Sequence, residues 1–136
     1  MPNGFSLIEL MVVLMIISIL ACFTYPSYKS QVTRAHRIDG QTALFDLANR
    51  MERYYARKNT YEKASIGTGG PNDIVTLNTS SEGWYTLSIT EATHAFFTLQ
   101  ATPNKTQALN DRYCQSLTLN SVGIKGSASK LTESCW

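Results

Sequence analysis

Residues 4–26 read GFSLIELMVVLMIISILACFTYP, and this stretch decides the fold of the 136-residue chain. From Phe5 to Tyr25 the residues are apolar, with four polar exceptions: Ser6, Glu9, Ser18 and Thr24. As a helix rising ~1.5 Å per residue, this segment is ~31 Å long, which matches the thickness of a bilayer core. Serine and threonine hydroxyls can bond back to their own helix, so only Glu9 is costly there. The stretch predicts a single membrane-spanning helix.

Glu9 decides between three interpretations of this helix. A charged side chain inside a bilayer costs ~2.5–3.5 kcal/mol or more and usually serves a function, which a plain membrane anchor does not supply. A cleaved secretory signal needs a positive n-region and a shorter apolar stretch, and residues 1–4 contain no Lys or Arg. Residues 19–22, Ile-Leu-Ala-Cys, loosely resemble a lipoprotein signal, but the missing positive charge and Glu9 argue against it.

The third interpretation is a resemblance carried by residues 4–13, GFSLIELMVV. A Gly, a following Phe, a Glu four residues later and an unbroken apolar run resemble the class III signal of type IV prepilins and pseudopilins. The resemblance implies that a prepilin peptidase cuts between Gly4 and Phe5 and that the new N-terminal Phe5 is N-methylated. We therefore expect a leader at 1–4, a transmembrane and assembly helix at 5–28, and a globular head at 29–136.

The same resemblance implies roles for Glu9 and Pro26. In this family the Glu is thought to meet the N-terminal amine of a neighbouring subunit, and a paired buried carboxylate is compensated where a lone one is not. Glu9 is therefore expected to guide assembly with other pilin subunits. Pro26 cannot donate to the carbonyl of Cys22, so the helix is expected to kink or open there.

Beyond Pro26 the pattern predicts an amphipathic continuation of the helix, to about Lys58. Its apolar positions recur at helical spacing and should form the ridge against which a sheet packs: Leu44, Leu47, Ala48, Met51, Tyr54 and Tyr55. Gly40 looks like a weak point in it, costing ~1 kcal/mol relative to Ala. Residues 65–81 are rich in Gly, Asn and Pro and predict a long loop, with a short extended piece at 74–77.

Strand patterns follow at 84–90, 95–102 and 115–120, and 122–125 is a candidate fourth strand after a tight turn. Short connections favour an antiparallel meander, whose apolar face the helix would cover. We therefore predict an α+β fold, with a long N-terminal helix packed on a C-terminal β-meander. This arrangement resembles the pilin fold, and the local matches RMERYY at 50–55 and GWYTL at 83–87 resemble the PilE-type minor pilins.

Cysteine usage adds a constraint to the head. Cys114 and Cys135 could pair in an oxidising compartment, while Cys22 lies in the apolar run. The resemblance implies that Cys114 and Cys135 form the disulfide that staples the C-terminal loop of such pilins. Two cysteines without further ligands at zinc spacing do not predict a metal site.

No catalytic pattern stands out, and no enzyme activity, metal or cofactor is predicted. His36 and His94 are isolated in the sequence and are expected to be surface or structural residues. The net charge of +2 is too small to predict nucleic-acid binding, yet basic residues concentrate between Lys29 and Lys63. They are either a solvated helix face beside a membrane or an anion or DNA contact, whose affinity would fall with salt.

The resemblance implies a minor subunit of a type IV pilus that serves twitching motility, adhesion or DNA uptake. Such a subunit would sit in the inner membrane with a periplasmic head and then move into the extracellular filament. Two alternatives stay open: a pseudopilin of a type II secretion system, and a minor pilin that binds DNA as a receptor in natural transformation.

Overall fold

The computed structural model describes residues 4–129 and 132–136. Three helices and six strands occur there in chain order: α1 (Leu7–Lys58), β1 (Ser65–Ile66), β2 (Asp73–Val75), β3 (Tyr85–Ala92), β4 (Phe97–Pro103), α2 (Lys105–Asn110), β5 (Leu117–Asn120), β6 (Lys125–Ser127) and α3 (Thr132–Cys135). The chain divides into two compact units between Arg34 and Ala35. The first contains the apolar part of α1, and the second contains the end of α1 with all six strands.

The first unit is the apolar helical segment. It contains an 18-residue window with mean hydropathy 2.6, apolar and long enough to cross a membrane. The Ser18 hydroxyl donates to the Leu14 carbonyl at 2.7 Å and the Thr24 hydroxyl to the Leu20 carbonyl at 2.9 Å, as predicted. Helix α1 includes Pro26, with helical residues on both sides of it. The kink at Pro26 stays a prediction.

The second unit is built around the predicted ridge of α1. Leu44, Leu47 and Met51 are completely or almost completely buried, and Tyr54 is buried beside them. Each fully buried side chain of this kind contributes ~1.5–3 kcal/mol relative to an exposed one. The sheet contributes the facing residues of the core: Tyr85, Leu87, Phe97, Leu99, Ala101, Leu117 and Leu119. The predicted amphipathic helix ends at Lys58, as expected.

The second unit's main sheet has the order β3-β4-β5-β6, and every neighbouring pair is antiparallel. Leu99 pairs with Leu119 across β4 and β5, so the buried faces of the two strands are in register. The predicted meander and the α+β fold are confirmed. Pro103 closes β4 opposite Tyr85, one residue beyond the predicted strand, because the end of a strand tolerates a residue without an N–H.

The fourth strand was misplaced in the prediction. It was expected at 122–125, whereas β6 begins at Lys125. The carbonyl oxygen of the Asn120 side chain accepts from the backbone N–H of Val122 at 3.1 Å and of Ile124 at 2.8 Å. Gly123 adopts a φ of 81°, which glycine tolerates best. These contacts hold the residues after Asn120 in a turn, so the strand starts later.

The predicted loop at 65–81 contains two short strands: β2 overlaps the extended piece expected at 74–77, whereas β1 was not predicted. β1 and β2 pair in parallel within it. The carboxylate of Asp73 organises the connection, since it accepts from the Ser65 hydroxyl, from the Thr68 hydroxyl at 2.6 Å and from the Gly69 N–H at 2.7 Å. The short helices α2 and α3 were also not predicted, because four to six residues carry no helical periodicity.

Trp136 covers the outer edge of the sheet. Its indole N–H donates to the Gly126 carbonyl of β6 at 2.7 Å. The indole ring meets Phe45 of α1 edge-on at 5.8 Å, and the Lys125 ammonium lies 5.2 Å from its centroid. An unpaired strand edge is a template for association, so this contact protects part of the edge.

Gly40, expected to be a weak point, is where α1 meets the sheet most closely. It is buried, and an added Cβ would lie 2.8 Å from two ring carbons of Tyr85. Tyr85 is itself completely buried. The absence of a side chain at Gly40 therefore makes room for the ring.

Substituting Gly40→Ala is expected to destabilise the head, although alanine favours helix. The overpacking cost of ~1–3 kcal/mol outweighs a helix-propensity gain of ~1 kcal/mol. We expect the unfolding free energy of a 29–136 fragment in urea to fall by ~1 kcal/mol or more.

Asn49→Ala is the matched control, because Asn49 is exposed on the same helix. It should leave stability unchanged or raise it by up to ~0.7 kcal/mol. A stabilised Gly40→Ala variant would show that Tyr85 moves aside freely and that the close contact is unimportant.

Candidate assembly segment and nucleic-acid interface

Cys114 and Cys135 form a disulfide, with their Cα atoms 5.4 Å apart. They lie 21 positions apart in the sequence, and both are buried. In the chain-entropy model a closed loop of this size stabilises the fold by ~3 kcal/mol. The bond encloses β5, β6 and α3, which ends at Cys135. Cys22 is a free cysteine, exposed on the apolar helix.

One turn of α1 holds both ends of this disulfide-bounded segment. The guanidinium of Arg37 donates to the carboxylate of Asp111 twice, at 2.8 and 2.9 Å. Asp111 also accepts from the Cys114 N–H at 3.4 Å. At the other end, Arg37 donates to the Ser134 carbonyl at 3.1 Å and Gln41 to the Cys135 carbonyl at 2.9 Å. We call these contacts the Arg37 clamp.

His36 has a structural role, as predicted. Its ring stacks on Trp84 with centroids 3.6 Å apart, and its Nδ1 lies 3.1 Å from the side-chain oxygen of Gln107. The amide of the buried Gln107 donates to the Tyr85 hydroxyl at 3.3 Å. Desolvation raises the pKa of Tyr85, so its phenol stays neutral. These side chains fasten α2 to α1 and β3.

The basic residues of the predicted helix have different environments. Arg37 belongs to the clamp and is largely buried. Arg50 pairs with Asp46 at 2.7 Å on the surface, where such an i,i+4 pair is worth ~0.3–0.5 kcal/mol. Arg53, Arg57 and Lys58 are exposed and make no ion pair with the part of the chain that the structure describes.

These exposed cations line two neighbouring depressions beside α1. The larger is an open cleft of about 660 Å³ between the face of α1 that carries Arg50, Arg53 and Arg57 and the start of β2. The smaller, of about 430 Å³, is lined by residues that include Arg57, Lys58 and Pro71. We call the pair of depressions, with Arg53, Arg57 and Lys58 as their free cations, the basic cleft.

Two acidic side chains at this end of the head, Asp73 and Glu52, accept hydrogen bonds from neutral donors and keep their negative charge. Asp73 lines both depressions, and its two oxygens accept from Ser65, Thr68 and Gly69, and these contacts hold its pKa below the usual range. Glu52 accepts from the Tyr61 hydroxyl at 3.0 and 3.1 Å. Desolvation, and then the hydrogen bond to Glu52, raise the pKa of Tyr61 to about 12, so the phenol remains a donor at neutral pH.

The residues expected to act in processing and assembly lie at the start of the described chain. Gly4 and Phe5 precede α1, and Glu9 lies in its first turn with its side chain exposed. Cleavage between Gly4 and Phe5, and the pairing of Glu9 with a neighbouring subunit, stay predictions. Among the described residues, no group of three His, Cys, Asp or Glu side chains could hold a metal ion.

An apolar N-terminal helix, an amphipathic continuation that covers an antiparallel meander, and a C-terminal disulfide together define a type IV pilin. Residues 2–21 match the prokaryotic N-terminal methylation motif. Residues 26–118 match the family described as type IV minor pilin ComP, DNA uptake sequence receptor. The chain belongs to this family of minor pilins, and the match decides against the pseudopilin alternative.

Two solved structures were found to be similar, and the first supports the same fold. The non-core minor pilin PilV of Neisseria meningitidis is 26% identical and matches with a TM-score of 0.55, over 74% of this chain and 91% of that one. A type IV pilin from Shewanella oneidensis is 24% identical, with a TM-score of 0.49 over 76% of this chain and 97% of its own. The family match makes the chain a minor type IV pilin, as the resemblance of residues 50–55 and 83–87 implied.

Breaking the Arg37 clamp is expected to destabilise the head strongly. Arg37→Met keeps most of the side-chain volume but leaves the carboxylate of Asp111, whose side chain is only 2% exposed, without its cation. Removing one partner of a buried pair costs ~3–5 kcal/mol, which urea unfolding of the 29–136 fragment would measure. Adding Asp111→Asn should recover part of the loss.

Asp46→Asn is the control, since it breaks the exposed pair with Arg50. It should cost no more than ~0.5 kcal/mol. Equal effects of Arg37→Met and Asp46→Asn would contradict the assignment of the clamp as the stabilising contact.

Proposed function

We propose that this minor pilin binds DNA at the surface of the pilus and acts as a receptor in DNA uptake. The observation that carries the proposal is the match of residues 26–118 to a family described as a DNA uptake sequence receptor. The match covers most of the head, which is the part that faces outward in a pilin filament. In this role the protein is a filament subunit that binds DNA, and the role requires no chemical reaction on the DNA.

The charges of the head support a polyanionic ligand. Exposed cations without an acidic partner are available to phosphates, and the described part of the second unit has several at the end of α1. Arg and Lys side chains that contact phosphates release condensed counterions, and this release supplies most of sequence-independent DNA affinity. Net charge contributes little here, so local clustering has to provide the attraction.

The full chain in neutral detergent micelles is expected to bind duplex DNA with an affinity that falls as salt rises. Each phosphate contact should lower the slope of log K against log[salt] by ~0.9 for duplex DNA. Fluorescence anisotropy with a labelled duplex, measured at a series of salt concentrations, gives this slope.

Two outcomes would contradict DNA binding. One is no binding at about 50 mM salt, where phosphate contacts are strong. The other is binding that does not weaken with salt, which would indicate contact through apolar surface or the micelle. Protein-free micelles of the same detergent are the control.

We also propose that a prepilin peptidase cleaves the chain between Gly4 and Phe5 and that Phe5 is then N-methylated. The match of residues 2–21 to the methylation motif supports this step. Before assembly, the apolar helix would hold the subunit in the inner membrane with its head in the periplasm. The mature subunit would then join other pilin subunits in the filament through this helix.

Glu9→Ala is expected to reduce incorporation into pili without preventing cleavage. The carboxylate that would compensate a neighbour's N-terminal amine inside the apolar bundle is lost, leaving that charge unpaired. The measurement is the ratio of subunit in sheared pili to subunit in membranes, by immunoblot. Intact mass should show that the variant starts at a methylated Phe5.

Ser18→Ala is the matched control, because Ser18 lies on the same helix and its hydroxyl donates to the Leu14 carbonyl of that helix. It should enter pili at the wild-type level. Wild-type incorporation of Glu9→Ala would remove the proposed role of Glu9.

A further inference from the structure

We propose that the basic cleft beside α1 is a phosphate-binding site, which holds a DNA backbone strand and contributes affinity without reading sequence. This proposal rests on the proposed DNA-binding function and adds its location and chemistry. Arg53 and Arg57 stand one helical turn apart on the same face of α1, with Cβ atoms ~5–6 Å apart. Lys58 extends the positive surface into the smaller depression.

The cations of the cleft are free to meet a ligand. Asp73 is the carboxylate that lines both depressions, and hydrogen bonds from the Ser65 and Thr68 hydroxyls and the Gly69 N–H keep it ionised, so its negative charge offsets one of the three cations. Arg53, Arg57 and Lys58 together still leave the site with a net positive charge. Asp46 forms an ion pair with Arg50, and within residues 4–129 and 132–136 Arg53 and Arg57 are the guanidiniums of the larger cleft without an ion pair. Guanidinium groups bind phosphate oxygens through two parallel N–H donors, which suits them to this ligand.

The shape of the site favours the backbone over the base edges. A helix that reads bases has to enter a major groove ~12 Å wide. Here the basic face of α1 is walled by Pro71, Asp73 and Ile74, so the helix cannot enter a groove at this place. A single sugar-phosphate strand is narrow enough to lie in the open cleft. Contacts of this kind fix position on DNA and carry no sequence information.

The test compares two double variants of the full chain in neutral detergent, with labelled duplexes of two unrelated sequences. Arg53→Gln/Arg57→Gln removes two charges from the cleft. Lys29→Gln/Arg34→Gln removes two charges from the same helix at residues that do not line it, so both variants change net charge equally. Arg53→Lys/Arg57→Lys keeps the charges in place.

The cleft variant should reduce the magnitude of the salt slope by ~1.8, which corresponds to ~0.9 for each of two phosphate contacts. At about 0.1 M salt its affinity should fall roughly 60-fold, equally for both sequences. The lysine variant should keep most of the slope, and the Lys29/Arg34 variant should stay close to wild type. Because Arg53 and Arg57 are exposed, all variants should melt at the wild-type temperature.

Four results would overturn the proposal. If wild type binds DNA and the cleft variant binds with the same slope, the cleft is not the site, although the DNA-binding function stands. If affinity falls for one sequence only, the cleft reads bases. If the cleft variant binds DNA normally but is lost from pili, its ligand is an acidic surface of a neighbouring subunit. Failure of wild type to bind any duplex would overturn the proposed function as well.

Discussion

The head depends on how closely α1 approaches the sheet, and Gly40 sets that distance. Tyr85 fills the space above Gly40, and its hydroxyl reaches Gln107 of α2. Gln107 in turn meets His36 on α1, so the buried ring connects helix, sheet and α2 in one network. A larger residue at Gly40 would lift the sheet away from Leu44 and Leu47 and disturb each of these contacts together. The apolar core and the polar network therefore both depend on the short distance between α1 and the sheet at Gly40.

The parts of the fold that sequence predicted are those with a local signature. The apolar run fixed the first helix, the spacing of Leu44, Leu47 and Met51 fixed the buried face of its continuation, and alternation located β3, β4 and β5. Contacts between distant residues left no such signature. Arg37 and Asp111 are 74 residues apart, and nothing near either residue indicates the other. The need for glycine at position 40 likewise depends on where the ring of Tyr85 lies in the folded head.

The basic stretch shows why charge counted along a sequence misleads. Arg37 and Arg53 belong to one basic stretch of the sequence. Arg37 forms a salt bridge with the buried carboxylate of Asp111, whereas Arg53 faces an open cleft. The distinction depends on tertiary structure, since Asp111 and the segment from Pro71 to Ile74 are brought beside α1 only on folding. A modest net charge of +2 can therefore coexist with a local surface suited to a polyanion. Folding therefore decides which arginines stabilise the head and which remain available to a ligand.

The disulfide would also have a mechanical consequence in any filament whose subunits are pulled. If tension unravelled the head, the crosslink between Cys114 and Cys135 would withhold 21 residues from the extending chain. At ~3.4 Å per extended residue, this shortens the accessible contour by ~70 Å. β5, β6 and α3 would stay within a covalent loop while the rest of the sheet separated. A stretched subunit would thus retain a compact remnant from which the head could re-form once the load is released.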